Sequence, residues 1–574
     1  MKRKLSLLLA LVLVLSVFLA ACGKTEEPAD VGSDEPTETE APEEGAKNPA
    51  KDREGADNTI IIGMTEAKGE LMPVYYSTGY DGYVVDYMFD QLFTNDEAGE
   101  YIPHVAKEWE ISDDKLTYTF HLRDDVKFAD GTPLTAHDVE FTYLAMADPN
   151  YDGRYFAYVD GLVGYEEYAE GNAENLSGVV VHDDYTISFT FKEPRVANFT
   201  YCNMHIMPKH HYDFEKGDIE ALKAKMRDPL GSGGYSFVHL EPGQYIELKA
   251  NMDYFLGAPK IENLILKFTT AETYMAELEK GTIDVQNSVT NTVENKETME
   301  AMGFVHLNAF PNNGYAYIGL NHSDPRLADK NVRQALVYGL DRQSFVTNFF
   351  KGHGQVCHVP LSPVSWAYTD TLAEKMNKYE YNPDKAVELL EEAGWKLGSD
   401  GIREKDGMKL KFVYSTYPDS EWVEQLIPVL IDNWGKIGVA IEINYMDFNA
   451  LSDAVYEEHD FDMYNMAWSL TVDPDSYSVY HSSQTRKAGN NAVQFINEKN
   501  DQLLEAGRKE FDQEKRKEIY EEWALNINEE LPSYIYIYQR EEWNMVNDRI
   551  KGFECSPFVD MSYPQVYLNM EIVK

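Results

Sequence analysis

The chain has 574 residues, with 98 acidic against 51 basic side chains and a formal net charge of -47 at pH 7. A nucleic-acid binder carries a basic footprint, so this balance excludes that class. The length exceeds what one hydrophobic core serves, and at least two lobes are expected.

Met1-Lys2-Arg3-Lys4 precedes an apolar run from Leu5 to Ala21, the pattern of a secretory signal at 1–21. The run ends Leu19-Ala20-Ala21-Cys22-Gly23. Small residues before a cysteine suit a lipoprotein signal peptidase, so Cys22 is expected to be lipidated. The plainer alternative is an ordinary signal peptide with a chance cysteine. Residues 22–58 are rich in Glu, Asp, Pro and Thr and nearly lack large apolar side chains. Such a segment cannot offset its ordering entropy by burial and is expected to be a disordered tether. The body beyond it is expected to be held at the membrane only by that lipid.

Farther along, Ile60-Ile61-Ile62-Gly63-Met64 predicts a buried strand. Leu116, Tyr118, Phe120 and Leu122 alternate with polar residues, the period of a half-buried strand. Thr135 with Asp138 predicts a helix cap. Tyr315 to Asn321 predicts a strand, and Asp329 caps a helix. Asn382-Pro383 starts another helix that Gly394 stops. Leu410, Phe412 and Tyr414, then Glu421 to Ile437, then Val439 to Ile443 read as strand, helix, strand, which favours a parallel crossover. Beyond Cys22 the cysteines are Cys202, Cys357 and Cys555, enough for at most one internal disulfide.

Several stretches resemble one family. Leu116–Arg123 runs on through Val126–Val139, including Asp130-Gly131-Thr132-Pro133-Leu134. Gly231–Phe237, Asn331–Leu336 with Asp341-Arg342, Tyr381–Ala386 through Trp395, and Phe461-Asp462-Met463 with Trp468 and Asp473-Pro474-Asp475 follow in order. The chain is similar in these to the large solute-binding proteins of peptide and nickel ABC importers, from about Thr59 to Lys574. The resemblance implies an α/β, two-lobed periplasmic-binding-protein-like fold with an extra subdomain and hinge strands. Lobe I would comprise 59–92, 229–311 and 540–574, the extra subdomain 93–228, and lobe II 312–539. The hinge would cross near Phe310 and Gln539, and closure would enclose the ligand.

The resemblance also implies a peptide gripped by its backbone between two segments, the alternatives being a nickel chelate, haem or an oligosaccharide as ligand, or a role in sensing a peptide signal. The two segments are Asp81-Gly82-Tyr83-Val84, with Tyr80 before them, and Ala467-Trp468-Ser469-Leu470-Thr471. Relatives that bind a free amine place an aspartate shortly after the tryptophan; here Leu470, Thr471 and Val472 stand there. Three readings stay open: Asp473 swings in, Asp81 substitutes, or the amine is not clamped. Arg486 is a candidate for a ligand carboxylate. Permease subunits and the membrane are the expected partners, the protein is expected to be monomeric, and no cofactor, metal or catalysis is implied. An exported hydrolase is the rival class, but no HExxH, GxSxG or phosphate loop occurs. Ser112–Lys115 fits SxxK without companion motifs, and His353, Cys357 and His358 form a short cluster without a second half.

Overall fold

The isoleucine run forms the strand Thr59–Met64, which pairs in parallel with Asn263–Phe268. Ile60 and Ile62 lie beside Leu264 and Leu266, and all four are sealed from solvent. The computed structural model describes residues 47–573 apart from 419, 488 and 531–533. The signal segment, Cys22 and most of the tether lie outside the described residues.

One sheet runs through the body. Its order is Ala440–Tyr445, Lys411–Thr416, Met463–Ser469, Gly314–Leu320, Tyr534–Asn547, Val285–Gln286, Thr59–Met64, Asn263–Phe268, Tyr245–Ala250 and Tyr235–Glu241. The 14-residue strand Tyr534–Asn547 joins the two halves. Its first residues pair with Gly314–Leu320, and its later ones pair with Val305–Pro311 and Val285–Gln286. Two chain segments therefore pass between the halves, at 311–314 and at 538–541. Lys411–Thr416 and Ala440–Tyr445 pair in parallel around the helix Glu421–Lys436, the crossover that the sequence pattern favours.

The cores divide in the same way. Val84, Leu92, Phe120, Leu264, Val546 and Met570 belong to one. Ile318, Leu336, Trp434 and Ile537 belong to a second, with Tyr317, Leu451, Trp523 and Tyr534 in a third beside it. A separate antiparallel sheet, Ala106–Ile111, Thr117–Leu122, Thr186–Thr190 and Val179–Asp183, packs on the first core. In it Tyr118, Phe120 and Leu122 face inward, as their alternation predicts. The result is a two-lobed α/β fold.

The caps follow the sequence. Asn382 accepts from the Lys385 N–H at 3.0 Å, and Gly394 takes the left-handed conformation at φ +87 that stops the helix. Asp138 accepts from the Thr135 N–H at 2.9 Å. Cys202, Cys357 and Cys555 are buried free thiols.

The tether ends earlier than expected. Residues 48–58 lie on the first lobe instead of hanging free. Ala50 is fully buried against Gly281, and the Asn48 and Asn547 amides exchange hydrogen bonds of 2.6 and 3.2 Å. Arg53 reaches the buried Asp284 at 2.6 Å, a carboxylate that Arg549 also grips at 2.6 Å. Composition concealed this because the docking uses one small residue, one amide and one cation.

Candidate functional site

The helix Gly79–Met88 begins where the Thr78 hydroxyl accepts from the Asp81 N–H. Asp81 is fully buried, and its carboxylate accepts from the Gly69 and Glu70 N–H groups at 2.8 and 3.1 Å and from the Thr78 hydroxyl at 2.5 Å. That carboxylate pins the loop 68–70 to the helix start and does not face the cleft. Gly82 and Val84 are buried as well; a Cβ on Gly82 would lie 3.2 Å from the Tyr76 ring. Tyr80 and Tyr83 keep accessible surface. The Tyr80 ring meets Phe448 of the second lobe at 5.8 Å, and Phe448 meets Tyr417 at 5.4 Å.

Trp468 stands opposite Tyr315 in the antiparallel pair of Gly314–Leu320 with Met463–Ser469. A Cβ at position 314 would come within 2.4 Å of the Trp468 carbonyl oxygen, so glycine permits the close approach. The Trp468 ring is stacked 6.4 Å from Tyr317 and lies 6.1 Å from Tyr456. On its other side this strand pairs with Lys411–Thr416 only at Met463 and Tyr464. From Asn465 to Ser469 that edge has no strand partner among the described residues, and Ala467 and Ser469 are exposed there. Leu470 is fixed differently: its N–H donates to Asn313 O at 2.7 Å, and the Asn313 amide donates to the Leu470 and Thr471 carbonyls.

Asp473 is held in a two-point ion pair with Arg516, at 2.6 and 2.7 Å. Arg486 lies over the Phe156 ring at 4.0 Å, beside the separate antiparallel sheet's loop. Asp473 is therefore not free for an amine clamp, whereas Arg486 has no ion pair among the described residues and its Nε has no hydrogen-bond partner. The first segment meets the second lobe through Tyr80 and Phe448, and the second packs through Trp468 on Tyr317 and Tyr456. The Ser112 hydroxyl bonds Asp114 in an exposed turn, His353 bonds Glu541, and no group of metal-ligating side chains occurs among the described residues.

The lobes touch across the cleft. Lys68 reaches Asp453 at 3.0 Å, the Val196 N–H donates to Arg508 O at 2.6 Å, and Arg508 donates to the Tyr201 hydroxyl at 2.7 Å. Inside this rim, burial raises the hydroxyl pKa values of Tyr80, Tyr158, Tyr417 and Tyr456, yet each keeps accessible surface. Tyr80 and Tyr158 come from the first lobe and Tyr417 and Tyr456 from the second, so these half-buried hydroxyls mark the interlobe region. Sequence reasoning missed several of its residues, among them Arg154, Tyr417, Tyr456 and Asp560. The available signal was a charge set among aromatic or apolar neighbours: Arg154 between Tyr151 and Tyr155-Phe156, and Asp560 between Val559 and Met561.

A receptor that closes two lobes over a small solute is the class this fold and chamber define. The family model for bacterial extracellular solute-binding proteins, family 5 Middle, matches residues 100–490, more than half of the chain. The protein belongs to that family. It is 29% identical over 567 residues to the oligopeptide-binding protein AppA of Bacillus subtilis (strain 168), with 98% of each chain covered. The structure of AppA from Bacillus subtilis in complex with a nonapeptide is similar at a TM-score of 0.81 and 28% identity, covering 90% of this chain and 100% of that one. NikZ from Campylobacter jejuni in complex with Ni(L-His) is similar at a TM-score of 0.78 and 26% identity, covering 89% and 99%.

Proposed function

We propose that the protein captures peptides in the interlobe chamber and delivers them to the permease of an ABC importer. The observation that carries this reading is the edge Asn465–Ser469, which has no second strand partner among the described residues and exposes Ala467 and Ser469. An extended peptide can add to such an edge by main-chain hydrogen bonds, which are the same for every sequence. The aromatic lining then offers apolar contact without selecting one side chain. Trp468 stands on that strand against Tyr317 and Tyr456, and Tyr80 of the first lobe reaches Phe448 of the second. The likeness to AppA, whose structure holds a nonapeptide, supports the peptide class. The protein acts as a binding protein without catalysis, as a monomer outside the cytoplasm, lipidated on Cys22 and tethered to the cell membrane. Among the described residues, no helix is long and apolar enough to cross a membrane.

The test is thermal unfolding of the protein lacking residues 1–21 and carrying Cys22→Ser, with peptides of graded length and composition. A ligand at a hundredfold excess over Kd adds about 2.7 kcal/mol of stability. Stabilisation by peptides of unrelated sequence is expected, and Trp468→Ala should weaken it at least tenfold. Stabilisation by sugars or metal chelates and by no peptide would overturn the substrate class.

A further inference from the structure

Two half-buried charges of opposite sign in the first lobe have no ion-pair partner among the described residues. The Arg154 Nη1 donates to Ser77 O at 2.5 Å, and the guanidinium lies 5.5 Å from the Tyr155 ring centre. Tyrosines 76, 155, 158 and 456 surround it, and no carboxylate lies within ion-pair distance among the described residues. Other deep arginines are held more fully inside the protein, although the Arg342 Nε has no partner. Arg516 has Asp473 and Arg549 has Asp284, while Arg342 donates to the carbonyls of Cys357, Tyr536, Lys378 and Tyr379. A guanidinium has five N–H donors. Arg154 places one of them on a carbonyl, and the others are not sealed away from accessible space.

Asp560 is the opposite case. One oxygen accepts from the Met561 N–H at 2.6 Å, and the Tyr83 hydroxyl also donates to the carboxyl. Its charged neighbours are Glu542 and Asp86, both acids. Those two have partners: Glu542 pairs with Arg540 at 3.1 Å, and Asp86 bonds His205 at 2.8 Å and the Ser562 hydroxyl at 3.1 Å. Asp560 makes no ion pair among the described residues. Both charges sit beside residues of the first lobe's core: Tyr155 and Tyr158 near Arg154, and Val559 and Met561 around Asp560. Tyr76 adjoins Arg154 and Asp86, and Tyr563 adjoins Tyr76, Asp86 and Asp560.

A buried charge without a counter-ion costs several kcal/mol, and a partner that supplies the opposite charge recovers much of that. We propose that the chamber is polarised, with Arg154 receiving the carboxylate of a peptide and Asp560 receiving its ammonium group. The ligand class is then peptides with both termini free, lying along the first lobe while the second lobe's strand edge closes over the backbone. This rests on the peptide reading above. It moves the amine partner away from the segment after Trp468, where Leu470 and Thr471 stand and Asp473 is already paired.

The test is calorimetric titration of the Cys22→Ser protein at pH 7.5 with alanine peptides of two to six residues. Each is used free, C-amidated and N-acetylated. A charged hydrogen bond is worth about 1.5–3 kcal/mol, so each cap should weaken wild-type binding about tenfold or more. Arg154→Gln should bind the free peptide about tenfold more weakly and no longer distinguish it from the amide. Arg154→Lys should restore part of that discrimination. Asp560→Asn should lose discrimination against acetylation alone. Equal wild-type affinity for free and capped peptides overturns the polarised chamber and leaves the peptide reading standing, even where a variant fails to fold. Variants that keep the wild-type discrimination overturn it too. A wild type that binds none of these peptides, while unrelated peptides still stabilise it, overturns this inference alone; one that binds no peptide at all overturns both.

Discussion

Asp81 and Asp560 are both carboxylates of the first lobe, and their surroundings give them opposite work. Asp81 is filled by three backbone N–H groups and a hydroxyl, so it organises a loop and a helix start. Asp560 has fewer donors, and burial with the nearby acids Glu542 and Asp86 pushes its carboxyl from 3.8 up to about 6. A carboxyl whose pKa is higher in the folded chain holds its proton more tightly there. Its stabilising contribution is full below about pH 4 and is lost as the pH rises through about 6. Asp560→Asn should therefore raise the stability of the ligand-free protein at pH 7.5, by on the order of 1–3 kcal/mol, with the gain shrinking toward pH 4. Urea unfolding at several pH values reads this directly. A wild type that is the more stable at pH 7.5 would show that Asp560 has a cation inside the protein. At this scale the sequence was least legible. Asp81, Asp473 and Asp560 look alike as letters, and only the donors around each separate a structural carboxylate from one left open.

The helices declare their ends in the sequence because caps are local. Asn382 and Gly394 lie within a turn of the groups they satisfy, and the structure uses both. Replacing Asn382 by alanine leaves the Lys385 N–H without its acceptor and should cost about 1 kcal/mol, seen as a lower denaturant midpoint at an unchanged m-value. Strand pairing is non-local, and less of it could be read. The period of two in Thr117–Leu122 showed which face is buried but not that Thr186–Thr190 would be its partner. The free edge at Asn465–Ser469 is a property of what stops beside it: Lys411–Thr416 pairs with Met463 and Tyr464 and then diverges. Nothing in the residues of the edge itself records that.

The whole molecule was legible as a fold because a run of motifs in the right order identifies a family even where each motif is weak. The docking of residues 48–58 and the particular rim contacts between the lobes were not legible, since both depend on surfaces far apart in sequence. The rim contacts holding the lobes are modest. Lys68–Asp453 involves a carboxylate that is 59% exposed, and such pairs contribute about 0–1 kcal/mol. Closure of the empty protein is thus weakly favoured at best, and ligand contacts tip the balance. Small-angle scattering should show the radius of gyration falling when peptide is added. Lys68→Ala should leave the liganded value unchanged. A radius unaffected by a saturating peptide would mean that the lobes are already locked.

The attachment of Asn48, Ala50 and Arg53 beside Asp284 and Arg549 has a mechanical consequence. Any pull transmitted along the chain from before residue 48 enters at that knot and spreads into the first lobe's sheet through the neighbouring Thr59–Met64 and Val285–Gln286 strands. The second lobe lies off this line of force. A membrane-tethered copy is therefore leashed by one jaw, while the other swings without load.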